Sequence, residues 1–345
     1  MSSPPTLVNA YCTHRNPPQL DFPHQLLSHR NHHDSQLAPH LQEFIGFIWQ
    51  GGQREMTETL YHVIQHLERV QNQYSLEIRP EHFDELGRWG QAANAVFLMQ
   101  DFNVCDPAGK LLVSHTDGSC DDDAEVPYPQ EAFQRKERIT AELGKLDLHP
   151  YDGLPPVIAE CEVNLRPADE VARRAIALMA VAVRAEKIAM KEPIPVAEIR
   201  ELLAPAFDSF TPVEQEFMDA STPDEQAVID HAWRYEALFV LQWALGHFDE
   251  LNFPTAICSV PEVADDIFDR DLTMMIATAE LRPTSEILDQ VDRYFRLHWI
   301  ARQPFLKGEP IPAGLDIGVI QERHHALNWL IRFGNADWDD VDCST

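Results

Sequence analysis

In the first third of the chain, apolar positions alternate between short compact runs and helical stripes. Thr6–Cys12, Phe44–Trp49, Tyr74–Ile78 and Ala95–Gln100 have the length and residue types of strands. Met56, Leu60, Val63, Ile64, Leu67 and Val70 recur near a 3.6-residue period and predict a helix over 54–72, and a second is expected over Glu81–Asn94. The turn Asp106-Pro107-Ala108-Gly109 leads into Leu111–Ser114 and reads as a hairpin. Between Cys12 and about residue 40 the chain is rich in Pro and His and has no period, which predicts a long loop.

Residues 115–130, with Asp117-Gly118, Asp121–Asp123, Pro127 and Pro129, are the expected boundary, and a helix over 130–145 follows. From 165 onward nearly every segment is helical, with helices expected at 167–190, 223–245, 283–302 and 316–333. Ala237–Leu245 is apolar on every side except Gln242, the mark of a helix surrounded by others. Thr211-Pro212-Val213-Glu214 and Thr222-Pro223-Asp224-Glu225 read as capping boxes, and Gly246 and Gly334 as C-caps. Leu165-Arg166-Pro167 and Leu281-Arg282-Pro283 open two helices with the same word, which we read as shared capping chemistry. The expected fold class is α+β. A small N-terminal α/β-type sheet domain (1–125) is followed by a linker with one helix (126–164) and a mostly α-helical C-terminal bundle (165–345).

Charge narrows the function. There are 56 Asp and Glu against 27 Lys and Arg, a formal net charge of −29. A nucleic-acid backbone or an anionic membrane needs a basic surface, so neither is expected as the main partner; a basic protein partner is compatible. The longest apolar run, Ala175–Val183, ends at Arg184 and is too short to span a bilayer. The segment Met1–Val8 has no basic start and no apolar stretch, so no signal peptide is read and a cytoplasmic location is expected. The six cysteines form no C-x-x-C pair, which speaks against a zinc ribbon or a disulfide scaffold. No dinucleotide, P-loop, zincin or nucleophile-elbow motif occurs, and no cofactor or metal is expected.

Four late segments set polar residues among dense aromatics: Trp233–Leu238, Tyr294–Trp299, Arg323–Trp329 and Asp337–Asp342. Burying Arg, Glu, His or Asn in a helix pack is costly without pairing, so these words mark either one polar network or one site. The candidate pocket comprises Arg234, Glu236, Arg296, His298, Arg323, His324, Asn328, Asp339 and Asp340. Glu236 lies above Val240 and Trp243 on one helix face. Its carboxylate there needs Arg323, Arg234 or His298 as partner, or it takes a raised pKa. A structural salt-bridge network is one reading; a general acid–base site or a cation site is the other. The tail, with Trp338 and Val341 among four acids, fits docking with the acids facing arginines.

Other clusters read as structure or solvent. His62 and His66, at i and i+4, fall outside the apolar stripe of their helix and are expected on its polar face. His24, His29, His32, His33 and His40 lie in a Pro-rich segment and are expected in a loop. Asp117, Asp121–Asp123 and Glu125 lack the EF-hand order and read as a solvated loop.

The words Arg166-Pro167, Glu170-Val171-Ala172, Ala175–Leu178, Trp233–Leu238, Gln242–Gly246, Phe253-Pro254, Arg282-Pro283, Arg296–Trp299, Glu322–His324, Ala326–Leu330 and Trp338–Val341 together resemble a bacterial family, domain of unknown function 4272, over about 155–345. His325 stands where an aromatic such as Tyr is expected. The resemblance implies a domain assignment and no activity. The leading expectation is an acidic, soluble, non-catalytic binding or protein-interaction module. The alternative is a hydrolase-like enzyme with its site near Glu236, His298, Arg323, His324 and Asp339–Asp340.

Overall fold

The computed structural model describes residues 4–343. The fold is α+β, a six-stranded antiparallel sheet with helices followed by a mostly helical region. The chain divides into two compact units. One holds the residues up to Gln134 together with Pro155–Val163; the other holds Arg135–Leu154 together with the chain from Asn164 onward.

In the first unit, β1 (Thr6–Cys12) runs antiparallel to β3 (Asn72–Ile78) on one side and to β4 (Ala95–Met99) on the other. With β2 (Gln25–Asn31), β5 (Val104–Cys105) and β6 (Leu111–Val113), the order is β2-β3-β1-β4-β5-β6. Successive side chains of a strand point to opposite faces. Val8, Ala10 and Cys12 accordingly pack with Leu76, Ile78, Ala95 and Phe97 against Leu86 and Trp89 of α3 (Phe83–Ala93). Tyr11 and Val96 face the other way, onto α1 (Leu37–Ile48) and α2 (Glu58–Glu68). Helices therefore cover both faces of the sheet.

Several expectations for this region are corrected. Phe44–Trp49 is not a strand: Phe44, Ile45 and Ile48 lie in α1, where Leu37 and Leu41 extend the same buried stripe. A six-residue apolar run cannot reveal that period by itself. The expected loop before residue 40 contains β2, an edge strand whose side chains are mostly exposed, so no apolar signal announced it. The helix expected over 54–72 is shorter, Glu58–Glu68, and Asn72 already belongs to β3. His66 is not on a polar face. It is fully buried and its Nε2 bonds the Tyr11 carbonyl at 3.0 Å. His29 is not in a loop; it stacks on Tyr74 and bonds Asn72 from β2.

The second unit is organised around α5 (Ala168–Ala189), α9 (Arg234–Ala244), α12 (Thr284–Lys307) and α13 (Ile317–Leu330). The helix expected over 223–245 is two helices, α8 (Glu225–Ala232) and α9, parted at Trp233. Every residue of α9 from Tyr235 to Ala244 is buried, as its all-round apolar pattern implied. It packs against α5 and α13, and α12 packs on α13. The other helices of the chain include α4 (Gln130–Gly144), α6 (Val196–Leu202), α7 (Pro212–Asp219), α10 (Val260–Phe268) and α11 (Leu272–Ala277). Thr211 forms the expected capping box with Glu214. Thr222 does not: the cap of α8 is Asp224, which accepts from the Ala227 amide. Gly246, at φ 79°, closes α9 with its own amide on the Trp243 carbonyl and the His247 amide on the Gln242 carbonyl, the paired bonds of a Schellman end. At the end of α13 that position is held by Arg332 in the left-handed conformation, not by Gly334.

Candidate functional site

Glu236 stands in the first turn of α9, 2% exposed, and Arg323 in the middle of α13, 0% exposed. Arg323 Nε donates to Glu236 Oε2 at 2.8 Å. Its Nη1 donates to the Asn252 carbonyl (2.7 Å) and the Tyr294 hydroxyl (2.9 Å), and its Nη2 to Asn252 Oδ1 (2.9 Å). The second oxygen of Glu236 accepts from the Cys258 amide at 2.5 Å. Two carboxylate oxygens and three guanidinium nitrogens are thus all engaged by protein groups. Such saturation offsets the cost of desolvating two charges. Burial, with Glu236 adding to it, pushes the Cys258 thiol up, and burial raises the Tyr294 hydroxyl as well.

Two residues before Glu236 and one before Arg323, a second rung joins the same two helices. Arg234 Nη1 meets Glu322 at 2.9 and 3.2 Å. Burial raises the Glu322 carboxyl, and Arg234 pulls against it. Arg296 is separate from both rungs; it makes a two-pronged pair with Asp292 on its own helix at 2.7 and 2.8 Å, both side chains fully buried. His298 and His324 meet through their Nδ1 atoms at 3.0 Å. Burial holds His298 down to about 4, with Arg302 adding to it, and His324 well below the ordinary value. A pair of neutral rings bonded to each other suits a helix contact and leaves neither Nδ1 for a substrate.

Asn328 donates to the Asp342 carbonyl and so ties α13 to the tail. Trp338 in that tail is 3% exposed, set against Trp329 and His325 with the Arg174 guanidinium over its ring at 4.7 Å. His325 bonds the Trp338 carbonyl at 2.9 Å, and burial, then Arg234, lowers it to about 4. Asp339 and Asp340 are exposed; the Asp339 carboxylate accepts from the Val213 amide at 3.4 Å. The structure therefore joins Glu236 to Arg323, Arg234 to Glu322, His298 to His324 and Asn328 to the tail. It places Arg296 in its own pair and Asp339 and Asp340 at the surface.

The repeated Leu-Arg-Pro word has one structural meaning. Arg166 donates its backbone N–H to the Leu330 carbonyl, Nε to the Trp329 carbonyl, Nη2 to the Ala336 carbonyl and Nη1 to Glu170, with its guanidinium over the Trp329 ring. Arg282 repeats every contact on Ala244, Trp243, Phe248 and Glu286, over the Trp243 ring. Each arginine closes a helix end: its backbone N–H takes the Leu330 or Ala244 carbonyl, and its Nε adds a second donor to a tryptophan carbonyl that already accepts from the Arg332 or Gly246 amide. The arrangement is reciprocal: α5 packs along α9 but its Arg166 caps α13, and α12 packs along α13 but its Arg282 caps α9.

Sequence reasoning missed Asn252, Cys258, Tyr294, Asp292 and Glu322 as partners. Only Asp292 and Glu322 left a signal, each an acid at helical spacing from, or next to, an arginine of the polar words. It also missed the buried pair in the first unit, where Arg69 Nη1 meets both oxygens of Glu162 at 2.9 and 3.0 Å. Among the described residues no group of three or more His, Cys, Asp or Glu is arranged to hold a metal, and no helix is long and apolar enough to cross a membrane.

A helical unit locked by buried Arg–carboxylate rungs and reciprocal arginine caps defines the class of object. A model of the family described as domain of unknown function (DUF4272) matches residues 135–341, and the chain belongs to that family. No curated protein and no solved structure matches it.

Proposed function

We propose that this protein is a non-catalytic binding module, and that the polar words of its C-terminal unit are the frame of the module rather than a reaction centre. The observation that carries this reading is the saturation of the Glu236–Arg323 pair, whose charged atoms are all bonded to protein and shut off from water. General acid–base chemistry needs a group within reach of a substrate proton. The net charge of −29 supports a basic protein segment as partner and disfavours nucleic acid. A cytoplasmic setting suits six cysteines that are all free thiols.

The direct test is Glu236→Gln. If the pair is frame, the variant melts at a lower temperature because Arg323 is left buried with a neutral partner. An unchanged or higher melting temperature sinks the reading, since polar groups kept for function are often held at a stability cost.

A further inference from the structure

A pocket of about 270 Å³ opens in the second unit beside the Glu236 network, lined chiefly by Val228, Ile229, Trp233, Tyr235, Ile257 and Val260. The polar atoms nearest its wall are committed elsewhere: the Tyr235 hydroxyl donates to Glu186 at 2.8 Å and both Glu236 oxygens are bonded. The Trp233 ring is held from behind by Gly318, where a Cβ would collide with it, so the tryptophan forms a fixed wall. Isolated exposed aliphatics need no explanation, but here Ile229 is 45% and Ile257 57% exposed around one concavity.

Two acids stand on the helices that line this apolar mouth. Glu186 accepts from Tyr235, and Glu225 lies one helical turn before Ile229 on the same face of α8. The same stretches offer Lys187 and Lys191 in return. An apolar pocket flanked by Glu186 and Glu225, in a protein of net charge −29, complements an amphipathic helix with aliphatic anchors and flanking Lys or Arg, the helix-in-groove mode of recognition.

We propose that the pocket between Trp233, Ile229 and Ile257 is the docking site for a basic amphipathic helix of a partner protein. This rests on the binding-module reading and adds the place and the shape of the partner. The test is calorimetric titration of the full-length protein with a short synthetic leucine–lysine peptide patterned as an amphipathic helix, and with a scrambled peptide of the same composition. Two variants probe the site without touching the network: Ile229→Asp reverses the lip, and Ala232→Phe fills the cavity. Thermal melts establish that both fold.

The expected result is binding of the patterned peptide, weaker binding of the scrambled one, and at least about a tenfold loss in each variant. Undiminished binding in both variants overturns the site and leaves the basic-partner reading standing. Failure of the wild-type protein to bind either peptide overturns both. Self-association of the wild type that Ile229→Asp abolishes, without peptide binding, makes a second copy the occupant and overturns the proposal.

Discussion

Arg282 stands to Trp243 as Arg166 stands to Trp329: each places Nε on the tryptophan carbonyl, at 2.6 and 2.8 Å, with its guanidinium over the indole ring. Each arginine thereby closes the C-terminal end of a buried helix that packs along the other's long helix. Arg166→Ala and Arg282→Ala should each destabilise the second unit by about 3 kcal/mol, since each loses charge-assisted bonds to two carbonyls and a carboxylate together with its guanidinium's contact on an indole ring. Lysine at either position should recover less than half of that, because a point charge cannot span three acceptors in a fork. Chemical denaturation of the four variants measures it; full rescue by lysine would show that only the charge matters.

The two rungs between α9 and α13 predict a non-additive pair. Arg323→Met alone should cost about 3–5 kcal/mol, because Glu236 is left buried without its cation. Adding Glu236→Leu should return part of that loss, since a well-packed apolar pair removes the uncompensated charge. A double variant as unstable as the sum of the singles would mean that Asn252, Tyr294 and Cys258, not the pair, carry the energy.

The tail should matter more than its position suggests. Trp338→Ala should destabilise the second unit by about 3–5 kcal/mol, and removal of residues 337–345 by at least as much, since His325 and Asn328 also lose their carbonyl partners. Asp339→Asn and Asp340→Asn, at exposed positions, should shift the melting temperature little. An unchanged melting temperature on deletion would rule docking out.

Histidines give the pH dependence a sign. His66, His298 and His325 are held to about 4 and His324 well below its ordinary value, in each case first by burial. A lowered pKa means that the unfolded chain binds protons more readily, so this stability is complete above about pH 6.5 and is lost as pH falls toward 4. Each buried ring should contribute a slope of about 1.4 kcal/mol per pH unit in that window. Denaturant midpoints at pH 7, 6 and 5, with ring titration by NMR, check this. A fall in stability that begins only below pH 4 would show that the rings are solvated.

How much of this was legible in advance differs by element. The all-round apolar stretch Ala237–Leu245 identified the buried central helix, because no surface helix can carry that pattern. Thr211 with Glu214 announced its helix, because a capping box is a local bond between residues three apart. The same locality explains the errors. Phe44–Ile48 is too short to show its period, and β2 buries too little to show any.

The sequence by itself determined that the chain is α+β, that its last half is helical, and that the polar words near Trp233, His298, Arg323 and Trp338 had to be partnered, since an unpaired charge in a helix pack is prohibitive. It could not determine the partners. Asn252 and Cys258 lie far in sequence from Arg323 and Glu236, and nothing in their own neighbourhoods marks them. Both lie in the segment between α9 and α10, and only the tertiary fold lays that segment against Glu236 and Arg323. The capping word was readable at Arg166 and Arg282, but which helix each arginine caps is a property of the packed helices, because the acceptors are carbonyls, and carbonyls carry no side-chain signature.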